Sequence, residues 1–389
     1  MEKRSRILLC VCGGIAAYKA IDLASQLFKA GYEIRTVLTE NALKFVSPIN
    51  FAAITHNSVH SSLWEDSDPI PHISLADWAD LIVVAPASAN TMAKAAQGLA
   101  DNLLSSILLA HRKAVLWVPA MNVNMYLSTA LQSNLLALRN RGHYILEPAT
   151  GMLACAYEGK GKFPPVPEII YAIRSYLTQT RDLVGKKVMV TAGASVEAID
   201  PMRIITNRSS GKMGLSLARA LSLRGAEVTL IYSSISEELP YYLTEAVQAL
   251  SAQDMYQAVI SRAQSMEWII MCAAVADYTP KIVAEQKLKK GSQMSLEMVA
   301  TQDILAELAK RKSSKQLLIG FAAETQDIIA NATEKLDKKN LDLIIANHIK
   351  NAGKDSNAIT LISKSGKPQN IEGDKFDLAQ QIIDRIVEL

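Results

Sequence analysis

The chain has 389 residues, enough for two or three domains that each bury a core. Apolar residues make up 49% and charged residues 20%, which excludes wholesale disorder. Lys and Arg number 41 against 38 Asp and Glu, a net charge of +3, too balanced to make nucleic acid or an anionic membrane the expected partner.

The N-terminus puts basic residues ahead of an apolar run, as a signal peptide does. Gly13-Gly14 interrupts that run and an amphipathic segment follows at once, so 6–12 reads as a first buried strand and 15–30 as a helix. Further strands are expected at 32–40, 81–88, 114–122 and 143–148, with helical patterns between them. The uncharged stretch 114–138 contains Pro119, Asn122 and Asn124 and is unfit to span a bilayer. Pro164, Pro165 and Pro167 break the pattern, and a helix over 168–180 leads to Gly185. The theme then restarts: strands at 186–193, 226–233, 268–277, 316–325, 341–348 and 358–364, with helices over 212–224 and 374–388. Continuous Val/Ile/Leu runs mark strands covered on both faces, hence parallel sheets. The chain therefore reads as α/β, two doubly wound Rossmann- or flavodoxin-like parallel-sheet domains in series, 1–182 and 183–389.

The four cysteines form no disulfide framework and no CxxC, and the six histidines are scattered. No protein metal site and a reducing, cytoplasmic setting are expected. Cys10 and Cys12, two apart on a strand, share one face and read as small apolar residues.

Doubly wound sheets bind ligands beyond the carboxyl ends of their strands. After the first strand stands Gly13-Gly14-Ile15-Ala16-Ala17-Tyr18-Lys19, a turn whose amides suit one phosphate better than a dinucleotide. Ala85 to Thr91 follows a later strand with small, hydroxylated residues able to approach a flat ligand. Pro119-Ala120-Met121-Asn122 follows another, and an Asn there suits a carboxylate. These segments, with His72 in HISLADWADL and Gly151 to Lys162 around Cys155, together resemble the flavin-dependent cysteine decarboxylase family, which binds FMN. The resemblance implies that Gly14, Ile15 and Thr39 hold the flavin phosphate and that Ser88, Ala89, Asn90, Thr91 and Ala120 touch the flavin. It also implies His72 as the base starting oxidation, Asn122 as the holder of the substrate carboxylate and Cys155, on a mobile lid, as the proton donor of the final reduction. Tyr126 stands where many members have Trp, and Ala156 where Gly is usual, a change expected to stiffen the lid.

In the second half, Gly211-Lys212 tempts a phosphate-loop reading, but Thr206 and Met213 break the GxxxxGK[ST] spacing. The run from Thr191 to Gly193, Glu197 to Gly214, CAAVADY at 272–278, Lys287 to Lys290, GFAAET at 320–325 and the Lys335/Lys339 pair resemble phosphopantothenate–cysteine ligases. That resemblance implies CTP as co-substrate, held by Ala273, Asp277, Lys287, Gln302, Asp303, Ile304, Leu305, Phe321, Lys335 and Lys339. Lys287 counts among the catalytic residues, Asn207 orients the acyl-cytidylate and Arg203 lies near the substrate. Mg2+ would sit among nucleotide phosphates rather than on protein ligands.

Taken together, the two resemblances imply the bifunctional coenzyme A biosynthesis family. Its members join 4′-phosphopantothenate to cysteine and then decarboxylate the product to 4′-phosphopantetheine. They also imply homo-oligomers: trimeric flavin domains with FMN at the subunit boundary, dimeric ligase domains, and a dodecamer built from both. The alternative is a ligase with an impaired or regulatory flavin-binding domain.

Overall fold

A computed structural model describes residues 4–64, 69–154, 156–178, 181–290, 294–324, 327–348, 356–364 and 366–389. The chain divides into two compact units, 1–178 and 179–389.

The first unit alternates strand and helix: β1 (Arg6–Val11), α1 (Lys19–Lys29), β2 (Glu33–Leu38), α2 (Pro48–Thr55), β3 (Val59–His60) and α3 (Pro71–Trp78). It continues with β4 (Leu81–Ala87), α4 (Ala89–Gln97), α5 (Leu103–Ala110), β5 (Val115–Pro119), α6 (Val123–Leu127), α7 (Thr129–Asn140) and β6 (Tyr144–Ile145). A hairpin, β7 (Ala149–Met152) and β8 (Glu158–Lys162), and a helix, α8 (Val166–Thr178), complete it. Among the described residues β1 to β6 form one sheet in the order β3-β2-β1-β4-β5-β6, with every pairing parallel. All seven positions of β4 are buried, as a strand with helices on both faces requires. Leu8, Cys10, Ile82, Val84 and Trp117 share one core cluster, and Cys12 joins it as a small apolar residue.

The second unit holds β9 (Lys187–Ala192), β10 (Val196–Asp200), β11 (Arg203–Thr206), α9 (Lys212–Leu223), β12 (Glu227–Tyr232), β13 (Glu245–Gln248) and α10 (Ala252–Arg262). Next come β14 (Trp268–Met271), β15 (Tyr278–Pro280), β16 (Met298–Ala300), α11 (Ile304–Arg311), β17 (Leu317–Glu324) and α12 (Ile328–Lys338). The unit ends with β18 (Leu343–His348), β19 (Ser356–Ser363), β20 (Gln369–Asp374) and α13 (Lys375–Val387). Its main sheet runs β13-β12-β9-β14-β17-β18-β19-β20. The first six strands repeat the order of the first unit, so the doubly wound architecture expected for both halves is present in both.

Several details depart from the expectation. β19 pairs antiparallel with β18, and β20 with β19. Residues 349–355 alone link β18 to β19, too few for the crossover that a parallel neighbour needs. The strand expected over 268–277 stops at Met271, because Thr191 Oγ1 accepts both the Cys272 and Ala273 amides at 3.0 Å and turns the chain. The segment before α9 is a hairpin, β10–β11, whose turn is set by Asp200: its Oδ1 accepts from the Met202 and Arg203 amides at 2.7 and 2.8 Å. The helix expected from Ile15 begins as a 3-10 turn over Ile15–Tyr18 and becomes α-helical at Lys19. Among the described residues no helix is long and apolar enough to cross a membrane.

Arg224, 2% exposed, joins the start of the second unit to its last helix. Its guanidinium grips Asp182 at 2.5 and 2.9 Å and reaches Asp384 at 2.6 Å. Removing both carboxylates strands a buried cation, worth about 3–5 kcal/mol. The double variant Asp182→Ala/Asp384→Ala should therefore lower the unfolding midpoint of this unit more than Arg224→Met does. Equal shifts in thermal denaturation would contradict this.

Candidate functional site

In the first unit a cavity of about 650 Å³ opens at the carboxyl ends of β1, β2 and β4, where the strand order reverses. Its walls include Gly13, Thr39, Ser88, Asn90, Thr91 and Asn102. Local chemistry holds Gly13, Thr39, Ser88 and Thr91. The Thr39 amide donates to Val11 O at 3.1 Å, which ties the β2 turn to β1. Ser88 caps α4 by accepting from the Thr91 amide at 3.2 Å, and Thr91 Oγ1 takes hydrogen bonds from Ser88 Oγ and from the buried Cys12 thiol. A Cβ at Gly13 would lie 2.5 Å from Asn41 Cβ, so only glycine lets the β1 and β2 turns close the floor. Gly14 faces open space, and Ile15 beside it is 63% exposed. Hydroxyl and amide groups from Thr39, Ser88, Asn90, Thr91 and Asn102 stand among apolar walls that include Leu43 and Leu104, a mixture that suits a flavin, and the volume lies in the range of ligand pockets; Glu40 adds one acidic group. Lys94 and Asp101 at the rim neutralise one another at 2.6 Å.

Of the other flavin-side candidates, Gly14, Ile15, His72, Ala89, Ala120 and Asn122 are not among the residues lining this cavity. His72 is the second residue of α3, and its Nδ1 is buried with no hydrogen-bond partner among the described residues. Asn122 caps α6, with its Oδ1 accepting from the Asn124 amide at 2.8 Å, which orients the amide so that Nδ2 is the donor. Ala120 donates its amide to Ala87 O at 3.3 Å, linking the ends of β4 and β5. Cys155 lies outside the described residues. Beside it Ala156 adopts φ +62°, a left-handed conformation that costs a side-chain-bearing residue about 1 kcal/mol.

In the second unit a cavity of about 690 Å³ opens at the carboxyl ends of β14, β17 and β18. It gathers Asn207, Ala273 and Phe321, together with the first turn of α9. Gly211 caps α9 in a left-handed conformation, and a Cβ at Gly214 would lie 2.7 Å from Ala192 Cβ, so α9 seats directly on β9. Asn207 Nδ2 donates to Ala274 O at 3.1 Å. Two lysine candidates are engaged beside it: Lys335 Nζ donates to Phe321 O at 3.2 Å, and Lys339 pairs with Asp303, which also caps α11. Burial works against the Asp303 carboxylate, yet Lys339 outweighs it and holds its pKa below the usual range. Arg203 is bound to the Asp200 carboxylate at 2.9 Å. Arg203, Asp277, Lys287, Gln302, Asp303, Ile304, Leu305, Lys335 and Lys339 do not line the cavity, and Lys287 is exposed.

The structure also brings in residues that sequence reasoning missed. Ser61, Ser62 and Trp64 line the first cavity, Trp64 with 90% of its surface exposed. Cys272, Asn347, Asn357 and Lys375 line the second. Burial pushes the Cys272 thiol up to about 12 against the pull of Lys375. Asn347 lies inside β18, so the post-strand signal that singled out Asn122 does not mark it. Lys375, at the first turn of a helix, carries no such signal. Among the described residues no group of three His, Cys, Asp or Glu could hold a metal.

Residues 1–178 match the family described as Flavoprotein, and 183–389 match the one described as DNA/pantothenate metabolism flavoprotein C-terminal domain. A relative from Bacillus subtilis, named coenzyme A biosynthesis bifunctional protein CoaBC, is 43% identical over 399 residues, covering 100% of this chain and 98% of that protein. A relative of the same name from Haemophilus influenzae is 41% identical over 98% of this chain and 97% of its own length. A third, from Mycolicibacterium smegmatis, is 39% identical over 99% and 98%. Matched from end to end by proteins that carry both units in the same order, this chain belongs to the coenzyme A biosynthesis bifunctional protein family.

Proposed function

We propose that the chain is a bifunctional enzyme of coenzyme A biosynthesis. The unit from about residue 183 is a CTP-dependent phosphopantothenate–cysteine ligase, and the unit before it is an FMN-dependent decarboxylase of 4′-phospho-N-pantothenoylcysteine. One observation carries this reading. Each unit has its own cavity at its sheet's carboxyl edge, and each cavity collects residues singled out for a different ligand: Thr39, Ser88, Asn90 and Thr91 in one, Asn207, Ala273 and Phe321 in the other.

In the ligase, the phosphopantothenate carboxylate attacks the α-phosphorus of CTP and pyrophosphate leaves. The cysteine amine then attacks the acyl carbon and CMP leaves. Asn207, anchored on Ala274 O, orients the acyl group. Lys335 and Lys339 stand at the β17 edge, where exchanging Phe321 O and Asp303 for phosphate oxygens would neutralise the triphosphate, with Lys287 closing from the exposed 281–290 segment and Mg2+ between the phosphates.

In the decarboxylase, FMN, when bound, supplies a two-electron acceptor in its oxidised form and returns the pair in its reduced form. His72, whose Nδ1 has no protein partner, takes the proton that leaves during oxidation. Asn122 Nδ2 donates to the substrate carboxylate that departs as CO2. Cys155 gives the proton that completes the thiol. His72 and Asn122 do not line the cavity of their own chain, and Ile15, Tyr18, Phe45 and Ile49 leave 63, 59, 49 and 67% of their surfaces exposed near the first turns. Both facts support a homo-oligomer in which one protomer's His72 and Asn122 complete a neighbour's flavin site. Trimeric flavin units and paired ligase units would build a dodecamer, working in the cytoplasm.

The purified protein should be yellow and release FMN on denaturation. Supplied with phosphopantothenate, cysteine, CTP and Mg2+, it should form pyrophosphate and CO2 in equal amounts; pyrophosphate without CO2 would leave only a ligase with an impaired flavin unit. Cys155→Ser should still release CO2 but accumulate the unsaturated thiol, and a parallel loss of both products would remove Cys155 from the reductive step. Asn207→Asp should consume CTP yet slow amide formation by about tenfold or more; unchanged turnover would count against its role.

A further inference from the structure

The hairpin β7–β8 is fastened to the rest of its unit at two points. At the first, the backbones meet: the Met121 amide donates to Gly161 O at 3.0 Å, and a Cβ at Gly161 would fall 2.2 Å from Met121 O. A Cβ at Gly159 would likewise fall 2.7 Å from Val123 Cγ2. At the second, three donors converge on one carboxylate. Glu147, in the link between β6 and β7, accepts from the Tyr126 hydroxyl of α6 and from the Arg139 guanidinium of α7. It also pairs with the Lys160 ammonium of β8 at 2.7 Å, and that ammonium lies 5.6 Å from the centre of the Tyr126 ring. The Glu147 side chain keeps 30% of its surface exposed. Burial opposes its charge, but Lys160, Tyr126 and Arg139 prevail and hold its pKa below the usual range.

Both fastenings land on residues 121–126, the segment that presents Asn122. Tyr126 is what makes the second possible: its hydroxyl ends the aromatic ring with a polar group that reaches the carboxylate. We propose that Glu147 is a positioning residue, which clamps the β7–β8 hairpin to the 121–126 segment so that the hairpin and Asn122 move as one body. A charged hub shared by α6, α7 and β8 resists displacement of β8 because moving Lys160 away breaks its charge-assisted bond to Glu147 and its seat against the Tyr126 ring. None of Tyr126, Arg139, Glu147 and Lys160 lines the first cavity.

The consequence for catalysis rests on the decarboxylase reading above. Oxidation and loss of CO2 draw on His72 and Asn122, whereas the last proton comes from the hairpin. Asn122 keeps its own cap bond to the Asn124 amide when the hub is cut, so loosening the hairpin acts chiefly on the final step. The test uses the full chain loaded with FMN and compares Glu147→Gln with the unaltered protein in two readouts. The first is amide hydrogen exchange, where residues 149–162 should exchange about tenfold faster while β1, β4 and β5 stay protected. The second is single turnover of the phosphopantothenoylcysteine substrate, where CO2 release should stay within about twofold while the ratio of saturated thiol to CO2 falls about tenfold. Unchanged exchange in the hairpin overturns the clamp whatever the chemistry. Faster exchange with an unchanged product ratio overturns the positioning role, and so does a fall in CO2 and thiol together. Should the unaltered protein release no CO2, the decarboxylase reading itself fails, and with it the catalytic half of the proposal. If Glu147→Gln does not fold, Tyr126→Phe removes one donor at nearly constant volume and should shift both readouts in the same direction by a smaller factor.

Discussion

A strand that runs parallel to its neighbour must be reached by a crossover, and the crossover always delivers the chain back to the same edge. Both units of this protein are built under that constraint. Each carries the strand order 3-2-1-4-5-6, so the turns leaving its strands collect at one edge and part where the order reverses. Within the sheets the backbone groups are paired. Beyond the last residue of each strand, amides and side chains are available for a ligand, which is why Gly13, Thr39 and Ser88 meet in one unit and Asn207 and Ala273 in the other, beside Phe321 of β17.

What the constraint leaves open is settled by small residues and helix caps. Gly13, Gly161 and Gly214 each stand where a methyl group would strike a neighbouring turn or strand, so the loops close to a distance that no other residue allows. Ser88, Asn122 and Asp303 each cap a helix with the side chain that the proposed chemistry also needs. A capping bond fixes one oxygen and thereby the direction of the rest of the group. Positioning and chemistry are thus supplied by the same few atoms, and the glutamate hub at Glu147 extends that economy to the β7–β8 hairpin.

Much of this was legible in the residues. The Val/Ile/Leu runs of β1, β4, β9 and β14 mark doubly covered strands, and the segments just after β1, β4 and β14 give the cavities Gly13, Ser88, Asn90, Thr91 and Cys272 to Ala274. The antiparallel edge of the second sheet was not legible as such, since AITLISK has the same composition as a parallel strand and only the short link before it rules out a crossover. The early end of β14 was hidden too, because it depends on Thr191, which lies 81 residues earlier at its contact with Cys272. Trp64, Asn357 and Lys375 carry no periodic or motif signal, and each enters a cavity wall through the pairing of distant strands or the docking of a helix.

The sequence by itself determined the class of fold, the order of the two units, the family and the kinds of chemistry each strand end could offer. Periodicity, capping and residue type are properties of neighbours along the chain, so they can be read without a fold. Only the tertiary structure decided which of those strand ends share a cavity, that His72 and Asn122 stand apart from the cavity of their own chain, and that Tyr126, Arg139 and Lys160 meet on one carboxylate. Those facts depend on strand order and helix docking, which are selected by burial of apolar surface summed over the whole unit rather than by any local stretch of residues.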